Sequence, residues 1–210
     1  MIRALTLLIC LCAAPMARAH PHVFVDVGLS FETDAEGRLV AVEVQWSYDD
    51  LFSLLVLSDR GLDMDGDMIL TEAERAALIG FDLVDWPPDF EGALFLYQGD
   101  AKLALAAPEA LSLELRQGRI VTRHRRPLKA PAPLTALDVQ PYDPSYYAAL
   151  TLREMPGMPA GCTGEILRPD TEAADAKLEK LGGLNNEGLF EEVQVGIYYA
   201  DTLVVTCGSS

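Results

Sequence analysis

The sequence predicts a mainly β fold of the α+β type: a β-sandwich-like domain that carries a helix-loop-helix insertion and a short C-terminal helical excursion. Apolar and polar residues alternate over several short segments, which is the period of a half-buried strand. Two pairs of these segments flank two-residue turns of the kind that close hairpins. The 210 residues suit one domain. We therefore expect a single β-rich domain over residues 20–210, with the insertion at 49–80.

Residues 1–19 have the features of a secretory signal peptide. Arg3 provides a short positive region, and the apolar run over 5–14 is too short to span a bilayer. An Ala-Arg-Ala pattern that signal peptidase recognises ends at Ala19. Cleavage there starts the mature chain at His20 and predicts a periplasmic protein without direct insertion into the membrane.

The mature chain is strongly acidic. The full chain has a net charge of −16, and residues 1–19 hold two arginines and no acidic residue, so cleavage leaves −18. Such a surface repels nucleic acid and anionic lipid and attracts metal cations. Two alternatives to cleavage stay open: lipidation at Cys10 or Cys12, although neither follows a small residue, and retention of the segment as an uncut anchor.

The predicted elements follow in order along the chain. Strands over 23–31 and 40–46 flank a turn at 33–37, so the domain opens with a β-hairpin. Helical spacing over 49–59 and 71–79 encloses an Asp-rich loop. A polar surface helix is expected over 172–181, and the other strand candidates are 93–98, 101–106, 111–116, 119–125, 135–140, 146–152 and 201–207.

Two cysteines remain after cleavage, Cys162 and Cys207. An even pair in an oxidising compartment predicts one disulfide, which would tie the last strand to an earlier segment. A pair of free thiols that binds metal is the alternative.

The insertion contains a segment that matches the twelve-residue calcium loop of an EF-hand. Side-chain oxygens occupy its first, third, fifth and ninth positions, a backbone carbonyl the seventh, and a glutamate that can bind through both oxygens the twelfth. Helical spacing on both sides is the context that such a loop requires. The predicted calcium ligands are, in order, Asp63, Asp65, Asp67, Ile69, Thr71 and Glu74.

One position departs from the EF-hand pattern. Met68 stands sixth, where glycine allows the sharp turn, and another residue there costs about 1 kcal/mol or more. The alternative to calcium is an acidic turn that leads into a capping box between Thr71 and Glu74. Three aspartates within five residues repel one another unless a cation neutralises them, which favours a structural calcium ion.

Three histidines remain in the mature chain. His20 carries a free α-amino group beside its imidazole, and His22 projects to the same side of an extended segment. Imidazole suits zinc, nickel and copper, and His124 is the candidate for a third ligand, although the basic run over 123–126 opposes a cation. Pro21 excludes the terminal copper/nickel motif that needs an ionised second amide, because proline has no N–H. A two-histidine brace stays open, and so does a solvated strand start without metal.

Three segments together resemble domain-of-unknown-function family 1007. They are His-Pro-His-Val-Phe-Val-Asp at 20–26, Tyr-Asp-Pro-Ser-Tyr-Tyr at 142–147 and Ala-Asp-Thr-Leu-Val-Val-Thr-Cys at 200–207. The resemblance covers essentially the whole mature chain, including the Asp-rich insertion. It implies a periplasmic component of an ABC-type transport system, with related domains associated with nickel/cobalt-type transport proteins, and hence a role in periplasmic metal handling.

Three functions are consistent with these residues. The first is an accessory that captures a transition metal with neutral imidazoles and hands it to a membrane metal transporter. The second is a non-catalytic interaction module, stiffened by calcium and a disulfide, that docks on another periplasmic protein through Tyr142, Tyr146 or Tyr147. An enzyme ranks third, because the chain has no G-x-S-x-G, no H-E-x-x-H and no free cysteine nucleophile. Copper redox chemistry at His20 is the one catalytic alternative.

Overall fold

The computed structural model of the chain describes residues 21–84, 86, 90–181 and 193–208, with the backbone alone for 154–156. The predicted signal peptide over 1–19 and His20 lie outside these residues. The described part contains ten strands and three α-helices, with a 3-10 helix at Val195–Tyr199. These elements are β1 Val23–Thr33, β2 Leu39–Tyr48, α1 Asp50–Asp59, α2 Glu72–Leu78, β3 Leu94–Gln98, β4 Ala101–Lys102, β5 Glu109–Arg116, β6 Arg119–Ala132, β7 Leu137–Pro141, β8 Ala148–Gly157, β9 Cys162–Leu167, α3 Thr171–Leu181 and β10 Thr202–Cys207.

The strands form two five-stranded sheets, which confirms the mainly β prediction. The first sheet has the order β5-β6-β2-β1-β8 and the second β4-β3-β7-β10-β9. β1 forms the predicted antiparallel hairpin with β2 and pairs in parallel with β8 on its other side. In the second sheet, β10 lies antiparallel between β7 and β9.

Apolar residues on the facing sides of the two sheets form one core. On β1 the odd-numbered residues from Val25 to Phe31 are buried, and their partners on β2 are the even-numbered residues from Tyr48 back to Val42. Successive side chains of a strand point to opposite faces, so the period of two also decides which face lies inside. Leu96, Val139 and Leu203 join the same core from the second sheet.

The predicted disulfide between Cys162 and Cys207 is confirmed. The two residues face each other in the register of β9 and β10, with their Cα atoms 4.0 Å apart and 45 residues between them in sequence. The bond ties the last strand of the described part to the edge strand of its sheet.

Most observed elements overlap the predicted ones, although β6 ends seven residues after its predicted end at 125 and β8 ends five residues after its predicted end at 152. Helices α1, α2 and α3 each begin and end within one residue of the prediction. The segment over 101–106 forms only the two-residue strand β4, and β9 has no counterpart in the prediction. None of the helices among the described residues is long and apolar enough to cross a membrane.

Candidate functional site

The loop between α1 and α2 brings three carboxylates together. Asp63, Asp65 and Asp67 each place one carboxylate oxygen in a group whose members lie within 4.8 Å of one another. Leu57 and Leu70, which are both buried, hold the two ends of the loop against the core. Three of the six predicted calcium ligands therefore converge.

The backbone of this loop makes a sharp turn at the sixth position, where the EF-hand pattern has glycine. Met68 has a φ of 61°, in the left-handed region that favours glycine. Its N–H donates to Oδ1 of Asp63 over 3.1 Å, and the N–H of Ile69 donates to Oδ1 of Asp67 over 2.8 Å. Met68 thus adopts the glycine-type conformation at a backbone cost on the order of 1 kcal/mol.

The carboxylate of Glu74 accepts hydrogen bonds from two residues of the same loop. Its Oε2 accepts from the hydroxyl of Thr71 over 2.7 Å and from the N–H of Thr71 over 2.9 Å, and its Oε1 accepts from the N–H of Asp63 over 2.9 Å. The Thr71 hydroxyl, followed by these backbone groups, holds the pKa of Glu74 below its ordinary value. The capping box that the sequence offered as the alternative is therefore formed at the start of α2.

The side chain of His22 is exposed at the beginning of β1. The backbone N–H of His22 donates to the backbone carbonyl of Tyr147 over 2.9 Å, and the centroid of the His22 ring lies 4.9 Å from that of the Tyr147 ring. His20, the other predicted ligand at this end of the chain, is not among the described residues.

The structure places His124, the candidate for a third ligand, away from His22. His124 lies on β6 opposite Val44 of β2, and Val44 lies opposite Leu29 of β1. Leu29 is seven residues from His22, which is about 23 Å along a strand. The two histidines also occupy opposite faces of the sheet, because the side chain of His124 is 1% exposed and that of His22 points to solvent.

His124 belongs to the core between the sheets. Its ring lies edge-on to Trp46 with the centroids 4.6 Å apart, and neither of its ring nitrogens has a hydrogen-bond partner within the described part of the chain. Burial, and to a smaller extent the charge of Arg126, lowers the pKa of His124 from 6.5 to about 3. The imidazole is therefore neutral, and its burial, at 1% exposure, removes it from the set of accessible metal ligands.

A partly open pocket beside this core was not anticipated from the sequence. It has a volume of about 150 Å³ and lies between the inner face of the first sheet and the segment that precedes β3. Its walls include three aromatic rings and two carboxylates, from Trp46, Tyr48, Phe90, Asp82 and Asp143. We call this cavity the inter-sheet pocket. Its residues come from four separate parts of the chain, so no local sequence motif predicts it.

A family model described as "Protein of unknown function (DUF1007)" matches residues 5–207. A search of curated proteins found no match. Two similar solved structures are an acetylcholine-binding protein from Bulinus truncatus, 16% identical, and acetylcholine-binding protein type 1 from Biomphalaria glabrata, 14% identical. The first likeness covers 97% of this chain and 97% of that chain at a TM-score of 0.37, and the second 98% and 96% at 0.33. A likeness of this degree carries no inference about what this chain binds.

Proposed function

The chain belongs to the DUF1007 family, and we propose that this member is an exported, non-catalytic periplasmic protein that binds calcium in its loop over 63–74. The observation that carries the proposal is the convergence of Asp63, Asp65 and Asp67 within 4.8 Å. Like charges this close repel one another, and calcium removes the repulsion while gaining the oxygen ligands that it prefers.

Glu74 completes the proposed site by exchanging partners. In the capping box its two oxygens accept from Thr71 and from the N–H of Asp63. Calcium takes over both oxygens, while the N–H of Glu74 keeps its bond to the Thr71 hydroxyl, so α2 retains half of its N-terminal cap.

Calorimetric titration of the mature protein with calcium tests this proposal. We expect Asp65→Asn to weaken calcium binding at least tenfold, and Glu74→Gln to weaken it as well, although glutamine still suits a capping box. Asp100→Asn is the matched control, because it removes the same charge from an exposed turn of the second sheet, outside the loop. A native protein that binds no calcium at millimolar concentration overturns the proposal.

We further propose that His20 and His22 bind a transition metal such as zinc, nickel or copper in the service of a membrane metal transporter. The exposure of His22 supports this role, because metal handed over by ligand exchange needs accessible ligands. Protons compete with the metal for imidazole, so acid should weaken the complex.

The test is a titration of mature protein, with its terminus verified as His20 by mass spectrometry, with each of the three metals. His22→Ala should abolish binding, whereas His124→Leu should leave it unchanged because His124 lies in the core. Equal binding by His22→Ala and the native protein refutes the terminal site. A peroxide-dependent oxidation assay of the copper-loaded protein tests the proposal that the chain is no enzyme.

The surface of α1 favours a second candidate function, that of an interaction module. Leu51, Leu54 and Leu55 are 75%, 58% and 53% exposed, and Phe24 beside the start of this helix is 55% exposed. An apolar patch of this kind marks a contact surface, and the acidic ends of α1 suit a partner with flanking basic charges. A photo-crosslinker at Leu54 in the periplasm should capture one membrane or periplasmic protein, and Leu51→Gln should abolish the product.

A further inference from the structure

The inter-sheet pocket contains a carboxylate with one oxygen unused. Oδ2 of Asp82 accepts from the hydroxyl of Tyr48 over 3.0 Å and from that of Thr122 over 2.7 Å. Its Oδ1 is buried and has no hydrogen-bond partner in the described part of the chain. No described arginine or lysine forms an ion pair with Asp82, and the side chains that donate to it among the described residues are the neutral hydroxyls of Tyr48 and Thr122.

Burial raises the pKa of Asp82 above its ordinary value, against the opposite effect of the hydrogen bonds from Thr122 and Tyr48. This is the behaviour of a carboxylate that lacks a cation. A positive charge that enters the pocket would stabilise the ionised form.

Aromatic rings line the same pocket as this carboxylate. Trp46, Tyr48 and Phe90 all line the pocket. Trp46 is only 7% exposed, and its indole N–H, like Oδ1 of Asp82, has no partner among the described residues. The faces of such rings are negative and attract cations, most strongly where water is excluded.

A second carboxylate stands at the wall formed by the loop before β8. The oxygens of Asp143 accept from the N–H and hydroxyl of Ser145 and from the N–H of Ala148, which are all neutral donors. Within the described residues no basic side chain pairs with Asp143. Neither acidic residue of the pocket therefore has a basic partner in the described part of the chain.

We propose that the inter-sheet pocket binds a small organic ammonium ion, with the cationic group against Asp82 and its alkyl groups against Trp46, Tyr48 and Phe90. A pocket of about 150 Å³ has room for a benzene-sized group, which suits a cationic group of a handful of non-hydrogen atoms. A free anion is repelled by the two carboxylates. A hydrated metal ion gains little from walls that are mostly aromatic and aliphatic.

The test uses full-length mature protein saturated with calcium, so that the aspartate loop is occupied. Tetramethylammonium is the cationic probe, tert-butanol its neutral counterpart of the same shape, and sodium chloride the control for ionic strength. We expect tetramethylammonium to raise the unfolding temperature beyond sodium chloride and to bind at least tenfold more tightly than tert-butanol. Equal binding of the neutral probe, or a shift no larger than that of sodium, overturns the proposal.

Two variants locate the site. Asp82→Asn should weaken tetramethylammonium binding at least tenfold, whereas Asp100→Asn, which removes one exposed carboxylate, should leave the affinity unchanged. Phe90→Leu keeps every charge and removes one aromatic face, so it should weaken binding several-fold and keeps the proposal testable if Asp82→Asn does not fold. Unchanged affinity in the folded variants overturns the assignment. In the native protein, the indole N–H resonance of Trp46 should shift during the same titration, and an unmoved resonance contradicts the pocket.

Discussion

Acid should destabilise this protein through one buried imidazole. The folded protein holds the pKa of His124 at about 3, against 6.5 for an exposed histidine, because the ring is desolvated and lies near Arg126. Below about pH 6.5 the unfolded chain binds a proton that the folded protein excludes. The contribution of neutral His124 to stability is therefore complete above that pH and is lost as the pH falls from there toward 3.

The magnitude follows from the two pKa values. Each pH unit between them costs about 1.4 kcal/mol, so lowering the pH from about 7 to about 4.5 should remove about 3 kcal/mol from the free energy of unfolding. That is a large share of the stability of a typical domain. Asp82 acts in the opposite direction, because burial raises its pKa, so a comparison of variants is needed to isolate the histidine.

Urea unfolding at a series of pH values provides the assay. His124→Leu replaces the ring by an apolar side chain of similar size at a position where the ring nitrogens have no hydrogen bonds among the described residues. Over the same pH range, the free energy of unfolding of this variant should fall by about 3 kcal/mol less than that of the native protein. His22→Leu, at an exposed position, is the control and should follow the native protein. Parallel losses in the native protein and in His124→Leu would refute a neutral buried imidazole.

Two further predictions concern the disulfide bond and a close contact at the backbone of a glycine. Reduction of the Cys162–Cys207 disulfide should lower the free energy of unfolding by about 4 kcal/mol, because the bond closes a long loop, and an unchanged urea midpoint in reductant contradicts this. Gly196→Ala should cost more than about 2 kcal/mol, since an ideal Cβ would lie 1.8 Å from the carbonyl oxygen of Asp143. Gly37→Ala, at a φ of 75° with open space around it, should cost only about 1 kcal/mol, and equal losses in thermal unfolding would refute the steric argument.

Local periodicity predicted the first hairpin and the helices because their signals lie within single segments. The alternation from Val23 to Phe31 sets which side chains of β1 are buried, and the observed register with β2 follows from it. The parallel pairing of β1 with β8 had no such signal, because more than a hundred residues separate the partners. β9 was not predicted for a local reason. Its short run Cys162–Leu167 has few residues with a strong preference for strands.

The inner face of β6 shows why the environment of His124 was not predictable. Thr122, His124 and Arg126 all point into the core, although each is polar. The outer face of the same strand carries Arg123 and Arg125, so both faces look alike in sequence. Only the partners distinguish them: Arg125 pairs with Glu32 of β1 and Glu109 of β5, whereas Arg126 donates to backbone carbonyls.

The two proposed cation sites, the calcium loop and the inter-sheet pocket, are neighbours in sequence but have separate contacts with the core. Asp82 follows the end of α2 by four residues, so α2 connects the calcium loop to the wall of the inter-sheet pocket. Leu70 and Leu78, which are 4% and 0% exposed, fix both ends of that helix in the core whatever the loop binds. Sites without shared contacts act additively. Stabilisation by calcium and by an ammonium ion should therefore add, and the loss of either site leaves the other intact.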